Sequence, residues 1–424
     1  MNRLGPCVLA LGLLAFGPQA ALSRETRLLR YPDIHGDKIA FCYGGDLYIA
    51  SIAGGNARRL TSLPGEELLP KFSPDGREIA FSAECEGNKD VYVMPVSGGA
   101  PRRLTFHPAD EWVVDWRPDG KSILFRSNAA SFTEGVNRLL FVPAAGGLVR
   151  ALELPEADLA CFNEAGDKLA FCPTRSDGLV RGYRGGAAPD IWTYDLARRT
   201  AERIVADGSV NNHPLWIGDR LYYVSDKGDG GRANLWVRDL RTGAVRQLTF
   251  FKEWPVRWPS RGGGRIVFEN EGRIVVFDVR TETSRPVTIG VPGAGDPGKA
   301  ESVGVEKHVS GAPALSPDGR KAILGARGDL FLIDCERKTT VNLTRTPGAN
   351  ERYPQWNPAG GSYAYVSDAT GEDQIYVCRE GDGREPEQVS RLGAGRIGPL
   401  SWSPDGRRIG FADHRAVYRV LDLE

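Results

Sequence analysis

Short runs that alternate between apolar and polar residues recur along the chain, and they predict β-strands. Examples are Ile79–Phe81, Ile123–Phe125 and Ile409–Phe411, which are rich in β-branched and aromatic residues. No long stretch shows the spacing of apolar residues that is typical of an amphipathic helix. The pattern therefore predicts an all-β protein.

Many of these strands follow a turn with the sequence Ser-Pro-Asp-Gly-Arg. Proline fixes the φ angle that the second position of a type I turn requires, and glycine adopts positive φ without steric cost. Aspartate hydrogen-bonds to nearby backbone, so we expect these aspartates to shape turns rather than to act as catalytic acids. The intact and degraded copies are Ser73–Arg77, Arg117–Gly120, Asn163–Gly166, Ser316–Arg320, Asn357–Gly360 and Ser403–Arg407.

The spacing of the turns predicts the domain organisation. Neighbouring copies are roughly 40 to 46 residues apart, which is the period of a four-stranded propeller blade. Six units fit residues 27–290, a Pro/Gly-rich linker follows at 291–302, and three further units fit residues 303–424. Because closed propellers usually have about four to eight blades, we predict a six-bladed β-propeller and an incomplete second β-propeller. An incomplete ring exposes strand edges, so we expect the chain to be the front part of a longer protein.

The charge balance bears on the possible partners of the chain, and the N-terminal segment bears on its location. Lys+Arg (54) balance Asp+Glu (54), which argues against nucleic acid as a partner. Residues 1–23 resemble a signal peptide, with Arg3, an apolar run at Cys7–Phe16 and a small-residue cleavage site at Ala21–Ser23. This segment predicts a periplasmic or secreted protein. No other segment is expected to enter a membrane.

The sequence predicts no catalytic residue, metal site or cofactor. A Gly-x-Ser-x-Gly nucleophile motif is missing, and the five histidines lie singly, without the spacing of zinc ligands. Phosphate-binding glycine loops are also missing. Cys161 and Cys172 flank one predicted hairpin, and whether they form a disulfide stays open at this point.

One loop in the fourth unit is a candidate binding site. Arg181, Tyr183 and Arg184 lie between two predicted strands among several glycines. Two guanidinium groups beside a phenol suit a carboxylate, for example the C-terminus of a peptide. The alternative is a structural loop that hydrogen-bonds to a neighbouring blade or to another domain.

Several of these segments resemble the N-terminal part of tricorn-type proteases. The similar segments are Arg27–Phe41, Gly44–Tyr48, the blade endings Gly-Gly-x-x-Arg-Arg-Leu-Thr, and Arg181–Gly186 followed by Asp190–Trp192. The resemblance implies a six-bladed and then a seven-bladed propeller, of which three blades are present, followed by a catalytic half with a PDZ-like module and a serine nucleophile. It also implies hexameric rings that cut short peptides, with the propellers as filters, and the family is usually cytoplasmic.

We therefore expect the non-catalytic propeller region of a tricorn-like serine peptidase, acting as a gate for peptides and as an assembly scaffold. Its expected partners are peptides, the catalytic half of the parent protein and further copies of the chain. The alternative is a stand-alone exported TolB-like propeller that binds a partner protein. A third possibility is the propeller cap of a prolyl-oligopeptidase-type enzyme.

Overall fold

The computed structural model describes residues 25–131, 133, 135–174, 182–293, 308–346, 348–381, 385–393 and 395–423. The predicted signal peptide at 1–23 and residues 294–302 of the predicted linker lie outside the described residues. Within the described ranges, all regular structure is β except for 3-10 conformation at Asp229–Gly231 and at His308, so the predicted all-β class is confirmed. None of the described segments forms a helix that is long and apolar enough to cross a bilayer.

The strands follow one another along the chain, most of them after a connection of a few residues. Those up to residue 290 are β1 (Arg30–His35), β2 (Lys38–Tyr43), β3 (Asp46–Ser51), β4 (Gly55–Asn56), β5 (Arg58–Arg59), β6 (Glu67–Phe72), β7 (Glu78–Glu84), β8 (Lys89–Pro95), β9 (Arg102–Arg103), β10 (Glu111–Trp116), β11 (Ser122–Ser127), β12 (Arg138–Pro143), β13 (Arg150–Ala151), β14 (Leu159–Phe162), β15 (Lys168–Cys172), β16 (Ile191–Asp195), β17 (Thr200–Val205), β18 (Asn211–Ile217), β19 (Arg220–Ser225), β20 (Asn234–Asp239), β21 (Val245–Gln247), β22 (Arg257–Gly262), β23 (Arg265–Asn270), β24 (Arg273–Asp278), β25 (Thr283–Val287) and β26 (Ile289–Gly290). The later strands are β27 (Val309–Leu315), β28 (Lys321–Ala326), β29 (Asp329–Asp334), β30 (Thr339–Asn342), β31 (Arg352–Trp356), β32 (Ser362–Ser367), β33 (Gln374–Arg379), β34 (Glu387–Gln388), β35 (Ser401–Trp402), β36 (Arg408–Ala412) and β37 (Tyr418–Asp422).

These strands form consecutive antiparallel sheets, which we number in chain order. Sheet one contains β1, β2, β3 and β5, and sheets two to six contain β6–β9, β10–β13, β14–β17, β18–β21 and β22–β25. Sheets seven and eight contain β27–β30 and β31–β34, and sheet nine contains the three strands β35–β37. Every sheet is a meander in which each strand pairs with the strand before it in that sheet.

The Ser-Pro-Asp-Gly segments form the turns between first and second strands of their sheets. In sheet two, the Ser73 hydroxyl donates to Asp75 Oδ1 (2.6 Å), and the Arg77 N–H donates to the same oxygen (3.1 Å). Gly76 has φ +69°, as the turn requires. These hydrogen bonds, that from Ser73 first, lower the pKa of Asp75, so the carboxylate is engaged in the turn. The predicted structural role of this aspartate is confirmed, and Asp318 makes the equivalent bonds in its own turn.

Sheets one to six pack face to face in a closed ring. Each pair of neighbouring sheets shares a buried apolar cluster, and a further cluster joins sheet six to sheet one. In that last cluster Ile34 and Phe41 of sheet one are buried with Val267 and Val276 of sheet six. Alternating apolar positions thus cover both faces of each sheet, because every sheet lies between two others.

The short strand β26 connects the end of sheet six to sheet one. It pairs in parallel with β4, so the segment that leaves sheet six lies beside the third-to-fourth-strand connection of sheet one. The Thr26 N–H donates to the Ile289 carbonyl (2.8 Å), and the Val291 N–H donates to the Thr26 hydroxyl (2.9 Å). Residues before the first sheet and after the sixth sheet are therefore bonded to each other.

Sheets seven, eight and nine continue the same sheet pattern. One buried cluster lies between sheets seven and eight, with Ile323 and Trp356, and another between sheets eight and nine, with Ile375 and Ile409. The domain boundaries at 27–290 and 303–424 stay predictions.

Candidate functional site

A central cavity, which we call the channel, lies inside the ring of sheets one to six. Its lining comes from the first strand of every one of these sheets, namely β1, β6, β10, β14, β18 and β22. The cavity has a volume of about 380 Å³. Because six separate strands contribute to one space, the channel brings together side chains that are up to about 230 residues apart in sequence, such as Tyr31 and Arg261.

A repeated backbone irregularity shapes the channel wall. Tyr31, Leu69, His213 and Trp258 all have positive φ, between 44° and 53°, and each is followed by proline. At each of these positions the strand register shifts, as in a β-bulge. Proline is tolerated there because the first strand is the edge strand and needs no further ladder bond on its channel side. The bulges place all four side chains in the channel lining.

Three of these residues form an aromatic cluster on the wall. The Tyr31 and Trp258 ring centroids are 4.9 Å apart, and those of His213 and Trp258 are 5.0 Å apart, both edge to face. Burial and the nearby Glu269 carboxylate raise the pKa of Tyr31, so its phenol stays neutral over the physiological range. This cluster was not predicted from the sequence. Its signal was a bulky residue followed by proline at the start of successive units.

A polar trio lies two residues further along three of the strands. The Lys71 ammonium donates to Ser260 Oγ (2.8 Å) and lies 3.5 Å from Asp33 Oδ1, to which the Ser260 hydroxyl donates. Asp33 also accepts the Phe72 N–H (2.7 Å). A serine nucleophile needs a base whose proton-accepting site is free, whereas here hydroxyl, ammonium and carboxylate satisfy one another. We therefore assign this trio to holding sheets six, one and two together.

A second polar group lies one residue beyond Ser260. The Arg261 guanidinium donates to Cys161 Sγ (2.9 Å) and to the Phe162 carbonyl (2.7 Å), both in sheet four. Burial raises the pKa of the nearby Asp115, although Arg261 and Lys71 act in the opposite direction. The channel lining therefore contains three cations, Lys71, Arg126 and Arg261, and three carboxylates, Asp33, Asp115 and Glu164.

The candidate loop of the fourth unit lies outside the channel lining. Arg181 lies outside the described residues. Arg184 Nη1 donates to both carboxylate oxygens of Asp226, which directly follows β19 of sheet five (3.0 and 2.9 Å), and its Nη2 donates to the Asp226 carbonyl (3.2 Å). The Tyr183 hydroxyl lies 3.4 Å from the Ala187 N–H within the loop. Arg184 thus connects two neighbouring sheets through a carboxylate that is only 6% exposed, and binding of a peptide carboxylate by this loop stays a prediction.

Cys161 and Cys172 are free thiols with different partners. The strand register pairs Leu159 with Cys172 and Cys161 with Ala170, so the two cysteines are diagonal neighbours. Diagonal neighbours are about 7–8 Å apart, which is beyond the usual Cα separation of a disulfide. Cys161 contacts Arg261, whereas the Cys172 thiol donates to the Asn211 carbonyl (3.7 Å). In the described part of the chain, no group of three His, Cys, Asp or Glu side chains is placed to hold a metal ion.

Comparison with known proteins places this architecture in one family. The model of the tricorn protease N-terminal β-propeller domain matches residues 26–283. A tricorn protease homologue of Streptomyces coelicolor is 29% identical over 93% of this chain and 34% of its own length, and one of Saccharolobus solfataricus is 28% identical over 93% and 36%. The crystal structure of tricorn protease superposes with a TM-score of 0.57 at 18% identity, covering 92% of this chain and 47% of that one. The chain thus spans about a third of the length of the curated relatives it matches.

Proposed function

Because the chain belongs to the tricorn protease N-terminal β-propeller family, we propose that it is the non-catalytic propeller region of a tricorn-like serine peptidase. In this proposal it acts as a gate that admits short peptides, and as a scaffold on which the catalytic part assembles. The observation that carries the proposal is the central channel, whose lining comes from all six sheets of the ring. A volume of about 380 Å³ suits a short peptide segment and excludes a folded domain.

The lining has the chemistry that a peptide would require. The aromatic faces of Tyr31 and Trp258 offer apolar contact to side chains without demanding a particular sequence. The Arg261 guanidinium, whose present acceptors are a thiol and a carbonyl, offers charge-assisted hydrogen bonds to a peptide carbonyl or carboxylate, whereas Lys71, Asp33 and Ser260 satisfy one another. Such a wall favours extended peptides of varied sequence, as a gate for degradation products requires.

A peptide-binding experiment tests the gate. Fluorescently labelled short peptides are titrated into the purified full chain, and Trp258→Ala is expected to weaken binding about fivefold to tenfold, the usual effect of losing one aromatic contact. Tyr353→Ala is the matched control, because Tyr353 occupies the same positive-φ position before a proline in sheet eight and does not line the channel. Equal affinity for the two variants, or no binding at all, would contradict the gate.

A second experiment tests the non-catalytic assignment. The purified chain is incubated with fluorogenic peptides, and no turnover is expected. Turnover that a serine-directed inhibitor abolishes would overturn the assignment. Sedimentation of the chain alone and with the catalytic part of the parent protein tests the scaffold role, for which assembly into larger rings is the expected result.

The place of action also belongs to the proposal. The apolar segment Cys7–Phe16 behind Arg3 supports export to the periplasm or the medium, whereas cytoplasmic residence is the alternative that the family favours. N-terminal sequencing of the mature protein distinguishes the two, because export predicts a new N-terminus near Ser23.

A further inference from the structure

Arg261 differs in polarity from the residues at the equivalent strand position of the other five sheets. Strand register places it opposite Ile266, at the position that corresponds to Ile34, Phe72, Trp116, Phe162 and Trp216 in the other five sheets. All five of those residues are apolar or aromatic. One sheet in six therefore carries a guanidinium where the fold itself requires only apolar packing.

The Arg261 side chain reaches past a neighbouring sheet. It starts from sheet six, and its two hydrogen-bond acceptors, Cys161 Sγ and the Phe162 carbonyl, belong to sheet four. Sheet five lies between these two, and its Trp216 N–H also donates to Cys161 Sγ (3.4 Å). A side chain that joins two non-adjacent sheets crosses part of the channel that they enclose, so Arg261 obstructs the channel at this level.

The partners of Arg261 are neutral. Among the described residues, no carboxylate oxygen lies within 4.0 Å of its guanidinium, although Asp115 and Glu164 act on it from further away. By contrast, Lys71 at the neighbouring level lies 3.5 Å from Asp33. A guanidinium binds a carboxylate more strongly than a thiol or a carbonyl, because two charge-assisted hydrogen bonds can form at once.

We propose that Arg261 is a latch that closes the channel between sheets six and four, and that the carboxylate of an incoming ligand releases it. The carboxylate would take over the guanidinium and draw it away from Cys161 and the Phe162 carbonyl. The latch would then select ligands by their negative charge. This inference rests on the proposed gate for its biological role, but the latch itself can be tested without any peptidase.

Cys161 reports on the latch. Its side chain lies against Arg261 and lines the channel, so opening exposes the thiol. The full chain is treated with methyl methanethiosulfonate, a small neutral thiol reagent, and the modification rate of each cysteine is followed by mass spectrometry of its peptide. Arg261→Met should accelerate modification of Cys161 about tenfold, in line with the loss of a hydrogen bond to a charged group.

The direction of the change in modification rate distinguishes greater exposure of the Cys161 thiol from a change in its intrinsic reactivity. Burial raises the pKa of Cys161, and Arg261 partly counteracts this by favouring the thiolate. Removal of the guanidinium therefore slows the intrinsic reaction, so that faster modification reports access alone. Arg257→Met, which removes an exposed arginine from the same strand, is the matched control and should leave the rate unchanged.

Two other thiols show whether the variant is folded. Cys42 and Cys172 are buried and do not line the channel, so they should stay protected in every variant. An unchanged Cys161 rate in Arg261→Met with both of these thiols protected would overturn the latch. If all three thiols react in Arg261→Met, that variant is not folded, and Arg261→Lys is used to test the latch instead. Its shorter ammonium cannot make both bonds and should raise the Cys161 rate alone, and an unchanged rate would again overturn the latch.

The wild-type chain tests release by a carboxylate. Trialanine should accelerate modification of Cys161, whereas trialaninamide should not, and an amidated peptide with a glutamate side chain distinguishes a C-terminal from a side-chain carboxylate. Equal rates with trialanine and trialaninamide would refute carboxylate release. If Cys161 responds as expected but Trp258→Ala does not alter peptide binding, the latch stands and the proposed gate is in error.

Discussion

Replacement of Glu111 by glutamine tests how this ring tolerates a buried carboxyl group. Glu111 begins β10 and is 2% exposed. Its partner is the Thr105 hydroxyl, and among the described residues its Oε2 accepts no hydrogen bond. Burial, with a smaller contribution from the neighbouring Asp90 carboxylate, raises the pKa of Glu111 from its ordinary 4.5 to about 7.

The sign of the pH effect follows from this pKa. The unfolded chain loses the Glu111 proton near pH 4.5, whereas the folded chain keeps it until about pH 7. Between these values the folded state binds more protons, so the free energy of unfolding falls as the pH rises. The full difference corresponds to about 3 kcal/mol, which is present at pH 4.5 and lost above pH 7. Glutamine stays neutral throughout. As the pH rises from 5 to 8.5, the free energy of unfolding of Glu111→Gln should therefore increase by up to about 3 kcal/mol relative to that of the wild type.

Urea unfolding of both proteins at several pH values provides the measurement. Glu67→Gln is the matched control, because Glu67 begins β6 as Glu111 begins β10 but uses both carboxylate oxygens. Oε1 accepts the Leu63 N–H (3.1 Å), while Oε2 accepts the Leu47 N–H (3.1 Å) and the Thr61 hydroxyl. Burial also raises the pKa of Glu67, but an amide nitrogen there would face one of these donors, so the gain in the free energy of unfolding at pH 8 should be smaller for Glu67→Gln than for Glu111→Gln. If the free energy of unfolding changes with pH in the same way for the wild type and Glu111→Gln, the reasoning is refuted.

Two further substitutions test the connections between sheets. Arg184→Ala should free the loop of sheet four and leave the Asp226 carboxylate with fewer donors, which costs about 1–3 kcal/mol and should appear as faster proteolysis of the loop; proteolysis at the wild-type rate would mean that the ion pair contributes nothing. Gly54→Ala should weaken ring closure, because the new Cβ would lie 2.5 Å from the Thr288 carbonyl oxygen, whereas Gly55→Ala, with nothing within 4 Å, adds only backbone strain. A fall in melting temperature that is equal for the two glycine variants would show that this clash is relieved at no cost.

Local sequence carried the prediction of the elements. The turn at Ser73–Arg77 follows from proline, aspartate and glycine in order, and the strands around it follow from short apolar runs. Both depend on residues only a few positions apart, so the sequence alone reveals them. The candidate loop was also visible locally, as arginines and a tyrosine among glycines. Its partner Asp226 was not visible, because the pair spans 42 residues and two sheets.

The channel was beyond local sequence for the same reason. Asp33 and Ser260 are 227 residues apart and meet only because the ring closes. Only the strand register shows that Arg261 occupies a position at which the other five sheets carry apolar or aromatic residues.

The sequence by itself determined the repeating strand–turn unit and hence the all-β class, since backbone preferences and apolar periodicity act over a few residues. Tertiary structure alone decided which side chains face one another across the channel. It also decided that the loop residue Arg184 pairs with Asp226 of the same chain. Those contacts depend on ring closure through many sheet-to-sheet interfaces, and no short segment of the chain encodes that closure.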